Sequence, residues 1–198
     1  MILRRFVAPV MAATLLVAAC KKDPPPPPAP TGPSEEELAK RRADSIAAAR
    51  AAAEAAAAAE RAAAEERAAR ERAVAAARAT LEEMIFFDYD QSAIRDDAAA
   101  ILRRKADVLR ASPQVQIRIA GHADERGSTE YNLALGNRRA ESVRQFLAGF
   151  GLPESRFSII SYGEEQPLER MSSESAWARN RRAEFQITAG ANAINPPN

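Results

Sequence analysis

Residues 115–139 read Val-Gln-Ile-Arg-Ile-Ala-Gly-His-Ala-Asp-Glu-Arg-Gly-Ser-Thr-Glu-Tyr-Asn-Leu-Ala-Leu-Gly-Asn-Arg-Arg. Val115, Ile117 and Ile119 alternate with Gln116, Arg118 and Ala120, the period of a half-buried strand. A polar loop bracketed by Gly121 and Gly127 follows, and a helix opens near Thr129 and runs to about Phe150, where Gly151 and Pro153 stop it. The loop carries Asp124; the helix carries Asn132, Leu135 and Arg139. On a helical wheel of about 100° per residue these three lie near 0°, 300° and 340°, one narrow stripe beside the apolar positions Leu133, Ala140 and Leu147. That places Arg139 at the margin of a buried face, where its guanidinium is partly desolvated. Asp124 sits just before a helix start whose unpaired N–H groups favour an anion. A carboxylate and a guanidinium so spaced suit two readings. One is a site that grips a small zwitterion by charge-assisted hydrogen bonds. The other is an internal Asp124–Arg139 salt bridge that braces the loop.

Working outward, Met84 to Asp90 opens with a β-rich apolar run that predicts a first strand. Ile94, Ala98, Ile101, Leu102, Val108 and Leu109 are spaced for an amphipathic helix over 94–111, stopped by Ser112-Pro113. Phe157-Ser-Ile-Ile-Ser-Tyr predicts a third strand, Ser172 to Ala178 a short helix, and Ala183, Phe185 and Ile187 a last alternating strand. Residues 190–198 end in Asn-Pro-Pro-Asn and read as a loose, flexible tail. The order βαβαβ(α)β predicts an α+β domain over 84–189, a two-layer sandwich with helices on a mixed sheet.

Several spaced motifs in this domain carry a resemblance. Gly121-His-Ala-Asp-Glu-Arg-Gly, Glu130-Tyr-Asn, Leu135-Gly-Asn-Arg-Arg-Ala140, Ser161-Tyr-Gly-Glu and Asn180-Arg-Arg-Ala together resemble the OmpA-like peptidoglycan-binding domain over about residues 84–188. The resemblance implies that the domain binds the diaminopimelate-bearing stem peptide of peptidoglycan without cutting it. It implies that Asp124 pairs with the ligand's ammonium group and Arg139 with its carboxylate, with Asn132 and Leu135 beside them. The family's early Phe-Asp falls on Tyr89 and Asp90 here. Arg126 and Arg181 are accessory candidates. The resemblance also implies the Tol envelope machinery as a partner.

The chain begins with Arg4 and Arg5, then an apolar stretch from Phe6 to Ala19, shorter than the roughly 20 residues of a bilayer span. That fits a secretory signal over 1–19. Val17-Ala-Ala-Cys20 resembles a bacterial lipobox, which implies lipidation of Cys20 and, with Lys21 after it, delivery to the outer membrane facing the periplasm. Several acyl chains, at ~0.8 kcal/mol per buried methylene, anchor a protein stably. Residues 20–33 are rich in proline and predict an extended polyproline II linker. Ser34-Glu-Glu-Glu37 reads as a capping box, and from there to about residue 83 the chain is Ala, Glu and Arg without Pro or Gly. Opposite charges recur four apart, as in Glu37/Arg41, Arg67/Glu71 and Arg78/Glu82, while Leu38, Ile46, Val74 and Leu81 keep no heptad. The expectation is a solvated helical spacer of roughly 70 Å.

The whole chain has 198 residues and a formal net charge of +1. Without Arg4 and Arg5 the 28 basic residues fall to 26 against 27 acidic ones, which gives no basic face for nucleic acid. One cysteine and one histidine leave no basis for an intramolecular disulfide or a metal centre, and no cofactor is implied. The function expected is a non-enzymatic tether between outer membrane and peptidoglycan. Two other readings stay open: a wall hydrolase using His122 with Asp124, and a scaffold that oligomerises through its alanine helix.

Overall fold

The computed structural model describes residues 32–197. The expected signal segment 1–19, Cys20 and nearly all of the proline-rich stretch lie outside the described residues. The chain divides into two units, Met1–Ala55 and Ala56–Asn198.

In the first unit the described residues are the start of α1 (Glu35–Glu82) and the turn before it. Ser34 Oγ accepts the Glu37 N–H at 3.2 Å, and Glu37 Oε2 accepts the Ser34 N–H at 3.1 Å, the reciprocal capping box that the sequence predicts. Of the charge pairs four apart, only Arg78–Glu82 comes within ion-pair distance, at 3.8 Å. Alanine propensity, rather than ion pairing, accounts for the helix. No helix among the described residues is long and apolar enough to cross a membrane.

The second unit is a four-stranded sheet with helices on one face. Its elements are β1 (Ile85–Phe86), α2 (Asp96–Ala111), β2 (Gln116–His122), α3 (Thr129–Ala148), β3 (Phe157–Gly163), α4 (Glu174–Asn180) and β4 (Arg182–Ala189). The strand order is β1-β4-β2-β3. β2 and β3 are parallel, with Ile119 opposite Ile159, and α3 connects them; β4 runs antiparallel to both β2 and β1. The predicted two-layer α+β sandwich is therefore the fold, with a first strand of only two residues. Alternation along β2 and β4 sends Ile117, Ile119, Ala183 and Phe185 into the core with Leu102 and Leu109 of α2 and Val143 and Leu147 of α3. Arg118 and Gln186 stay exposed on the other face.

Two boundaries differ from the sequence reading. Ala77 and Leu81, in the last turns of α1, belong to the same core cluster as Ile85 and Leu102, so the domain starts inside the helix that the sequence assigns to the spacer. The last turn of α1 has no basic residue of its own. Lys105 of α2, fully buried, supplies one by donating from Nζ to the Thr80 and Leu81 carbonyls, both at 2.8 Å, beneath the Phe185 ring. The stretch after Gly190, expected to be loose, is docked as far as Asn195. Ile194 is buried, the Asn195 N–H donates to Ser112 Oγ at 2.9 Å, and Arg78 donates to the Ala191 carbonyl at 3.0 Å. Pro196-Pro197 follows these contacts; the polar composition of the tail concealed its one anchoring isoleucine.

Candidate functional site

Four segments converge at one end of the sheet: the turn after β1, the loop after β2, the first turns of α3, and α4. Gly121 and Gly136 set the distance between β2 and α3. A Cβ on Gly121 would lie 1.9 Å from the Gly136 carbonyl oxygen, so the two backbones touch as only glycine allows. Ser128 caps α3, its hydroxyl accepting the Tyr131 N–H at 3.3 Å. Asn132 then ties the loop to the helix: its Nδ2 donates to the Asp124 carbonyl at 3.0 Å and to Glu164 Oε2 at 2.6 Å.

The result is a cavity of about 110 Å³ lined by Tyr89, Asp90, Asp124, Arg126, Gly127, Tyr131, Asn132, Leu135 and Arg139. Every principal site residue of the sequence reading lines it, as does Arg126. Asp90 holds a left-handed backbone (φ 53°), and its carboxylate accepts a hydrogen bond from the Tyr131 hydroxyl. Tyr131 and Gly127 were not singled out from the sequence.

Asp124 and Arg139 do not pair with each other, contrary to the salt-bridge reading. Arg139 is fully buried rather than marginal. Its Nε donates to the Gln91 carbonyl at 2.8 Å, Nη1 to the His122 carbonyl at 2.7 Å and Nη2 to the Asp88 carbonyl at 3.0 Å. It thus clasps β2 to the turn after β1 and keeps two of its five N–H groups without a partner among the described residues. Burial brings its pKa down to about 10, so it stays charged at neutral pH.

Asp124 is 3% exposed and pairs with the two accessory arginines. Its Oδ1 accepts the Arg126 backbone N–H and Nε, both at 3.1 Å; Oδ2 accepts Arg126 Nη2 at 2.6 Å and Arg181 Nη1 at 3.2 Å. Burial alone would raise the carboxyl's pKa, but the arginine hydrogen bonds outweigh it and hold the group below the usual carboxylate range. Arg181 is itself buried, donating to the Phe87 carbonyl and to Glu174 of α4. Asn180 and Arg182 beside it are buried as well.

Arg126 lies between two aromatic rings, 4.0 Å from the Tyr89 centroid and 4.2 Å from that of Trp177. Trp177 is half-buried at this rim, with Nε1 donating to Glu125 at 3.0 Å. Glu174 and Trp177 arrive from 50 residues downstream of Asp124 and Arg126, and no local pattern announces them. His122 stands apart from the cavity. Its ring lies against Tyr162, with Arg182 and Glu184 nearby, and makes no hydrogen bond to Asp124.

A family model described as the OmpA family matches residues 86–181. The peptidoglycan-associated lipoprotein of Brucella melitensis biotype 1 is 52% identical over 101 residues, 51% of this chain and 60% of that protein. That of Agrobacterium fabrum is also 52% identical over 101 residues, covering 57% of its length. The chain thus spans less than two thirds of these relatives. The crystal structure of the peptidoglycan-associated lipoprotein from Burkholderia pseudomallei is 39% identical, with a TM-score of 0.53 over 54% of this chain and 91% of that one. The matched region takes in the clasp, the cavity and the sheet up to the start of β4, and through that domain the chain belongs to the OmpA family.

Proposed function

We propose that the C-terminal domain binds the diaminopimelate-bearing stem peptide of peptidoglycan without cutting it, and that the chain tethers the outer membrane to the cell wall. The observation that carries this reading is one small cavity holding a deprotonated Asp124 and a charged Arg139 with two N–H groups to spare. A ligand group bearing both an ammonium and a carboxylate complements that pair. The names of the relatives point the same way. Lipidation at Cys20 would fix one end, and α1 with the proline-rich linker would supply reach. Confinement at the membrane raises the effective concentration, so moderate affinity suffices. Engagement with Tol proteins belongs to this proposal on resemblance alone.

A hydrolase based on His122 and Asp124 loses its support from the geometry, since the imidazole and the carboxylate have no contact. Co-sedimentation with purified sacculi tests the reading. The wild-type chain should pellet and Asp124→Asn should remain in the supernatant with an unchanged fold by circular dichroism. Release of soluble muropeptides, or pelleting of Asp124→Asn as efficiently as wild type, would refute it.

A further inference from the structure

We propose that Arg126 is a built-in latch: its guanidinium occupies the ammonium position on Asp124, and a ligand cation must displace it to bind. This rests on the site reading above and adds a regulatory step to it.

The acceptor count carries the argument. A carboxylate offers about four lone-pair positions, and Asp124 already accepts four N–H groups, three of them from Arg126 and one from Arg181. An incoming ammonium group therefore has no free acceptor unless a donor leaves. Arg181 cannot easily go. Its side chain is 8% exposed and also holds the Phe87 carbonyl and Glu174. The Arg126 side chain is 28% exposed and can leave with its backbone N–H bond in place. Glu174 Oε2, 3.4 Å from Arg126 Nη1 and on a side chain 64% exposed, offers a landing place further out. When the guanidinium swings away, the faces of Tyr89 and Trp177 remain, and such faces suit a second cation as they suited the first. The latch keeps a buried carboxylate paired while no ligand is present, at the cost of apparent affinity, because only the open fraction binds.

Trp177 is the chain's one tryptophan, so its emission reports on this rim without a background from other indoles. The full chain is titrated with a muropeptide carrying meso-diaminopimelate, read by calorimetry and by tryptophan fluorescence. Arg126→Gln should bind about tenfold more tightly than wild type. Arg126→Lys, which keeps a cation at the position but not the fork, should fall between the two. On saturation, wild-type emission should move toward that of ligand-free Arg126→Gln. Binding by Arg126→Gln that equals or falls below wild type would overturn the latch and leave the site reading standing. If Arg126→Gln proves unfolded, the wild-type emission decides, and no change on saturation overturns the latch. Absence of binding by all three proteins would overturn the site reading and the latch together.

Discussion

Replacing Arg139 with methionine keeps most of the side-chain volume and removes the fork that joins three carbonyls. Each lost charge-assisted hydrogen bond costs ~1.5–3 kcal/mol, roughly 4–9 kcal/mol for the three. The change also relieves the burial of a charge. Burial lowers the guanidinium's pKa to about 10 in the folded chain, and Arg139 is fully buried, so the relief is on the order of 3 kcal/mol. The difference is roughly 1–6 kcal/mol, and because the Gln91 and Asp88 carbonyls are only part-buried and regain water, the net loss falls in the lower half of that span, at about 3 kcal/mol. For a domain of this size that lowers Tm by roughly 10 °C. Calorimetric melts of wild type, Arg139→Met and Arg139→Lys, which retains the charge but not the fork, are the assay; the lysine variant should fall between the other two. An Arg139→Met melt within ~2 °C of wild type would refute the clasp. It would mean that Arg139 serves the cavity only. The consequence for binding studies is direct, since loss of sacculus binding in an Arg139 variant counts only if the variant remains folded.

Two further outcomes follow from the same contacts. Gly121→Ala should destabilise the domain by ~3 kcal/mol or more in urea unfolding, because its Cβ would meet the Gly136 carbonyl at 1.9 Å, while Gly32→Ala, with nothing within 4 Å, should be silent. His122 should make stability pH-dependent. Burial, aided by the Arg182 charge, holds its folded pKa at about 4, against 6.5 for the free side chain. The unfolded chain then takes up a proton that the folded one refuses, so this contribution is present above pH 6.5 and is lost as pH falls toward 4, by on the order of 3 kcal/mol. Urea titrations at pH 6.5 and 5 should show a shallower pH slope for His122→Gln than for wild type; equal slopes would count against it.

Much of the domain was readable along the chain because its elements bury one face each. The alternation at Val115, Ile117 and Ile119 survives in β2, the Ser34–Glu37 box closes as written, and the stops at Pro113 and Gly151 fall near the helix ends. What failed to show were contacts between distant segments. Val74, Ala77 and Leu81 read as a spacer because they keep no heptad, yet α2 and the sheet provide the surface they need. Ile194 lies in a stretch of Asn and Pro, so its burial depends on Ser112 and Ala111, more than 80 positions upstream, which hold Asn195.

The 121–139 stretch by itself placed a carboxylate in the loop before a helix and a guanidinium on the inward stripe of that helix, since strand, glycine loop and helix dictate their placement. Their partners came only from the tertiary structure. Arg139 answers to carbonyls at Asp88, Gln91 and His122, and Asp124 to Arg126 and to Arg181, which lies 57 positions away. Local sequence sets which backbone and side-chain groups face inward. A buried charge takes whichever partners the folded chain brings within hydrogen-bond reach, and here the sheet order β1-β4-β2-β3 brings those segments to one end.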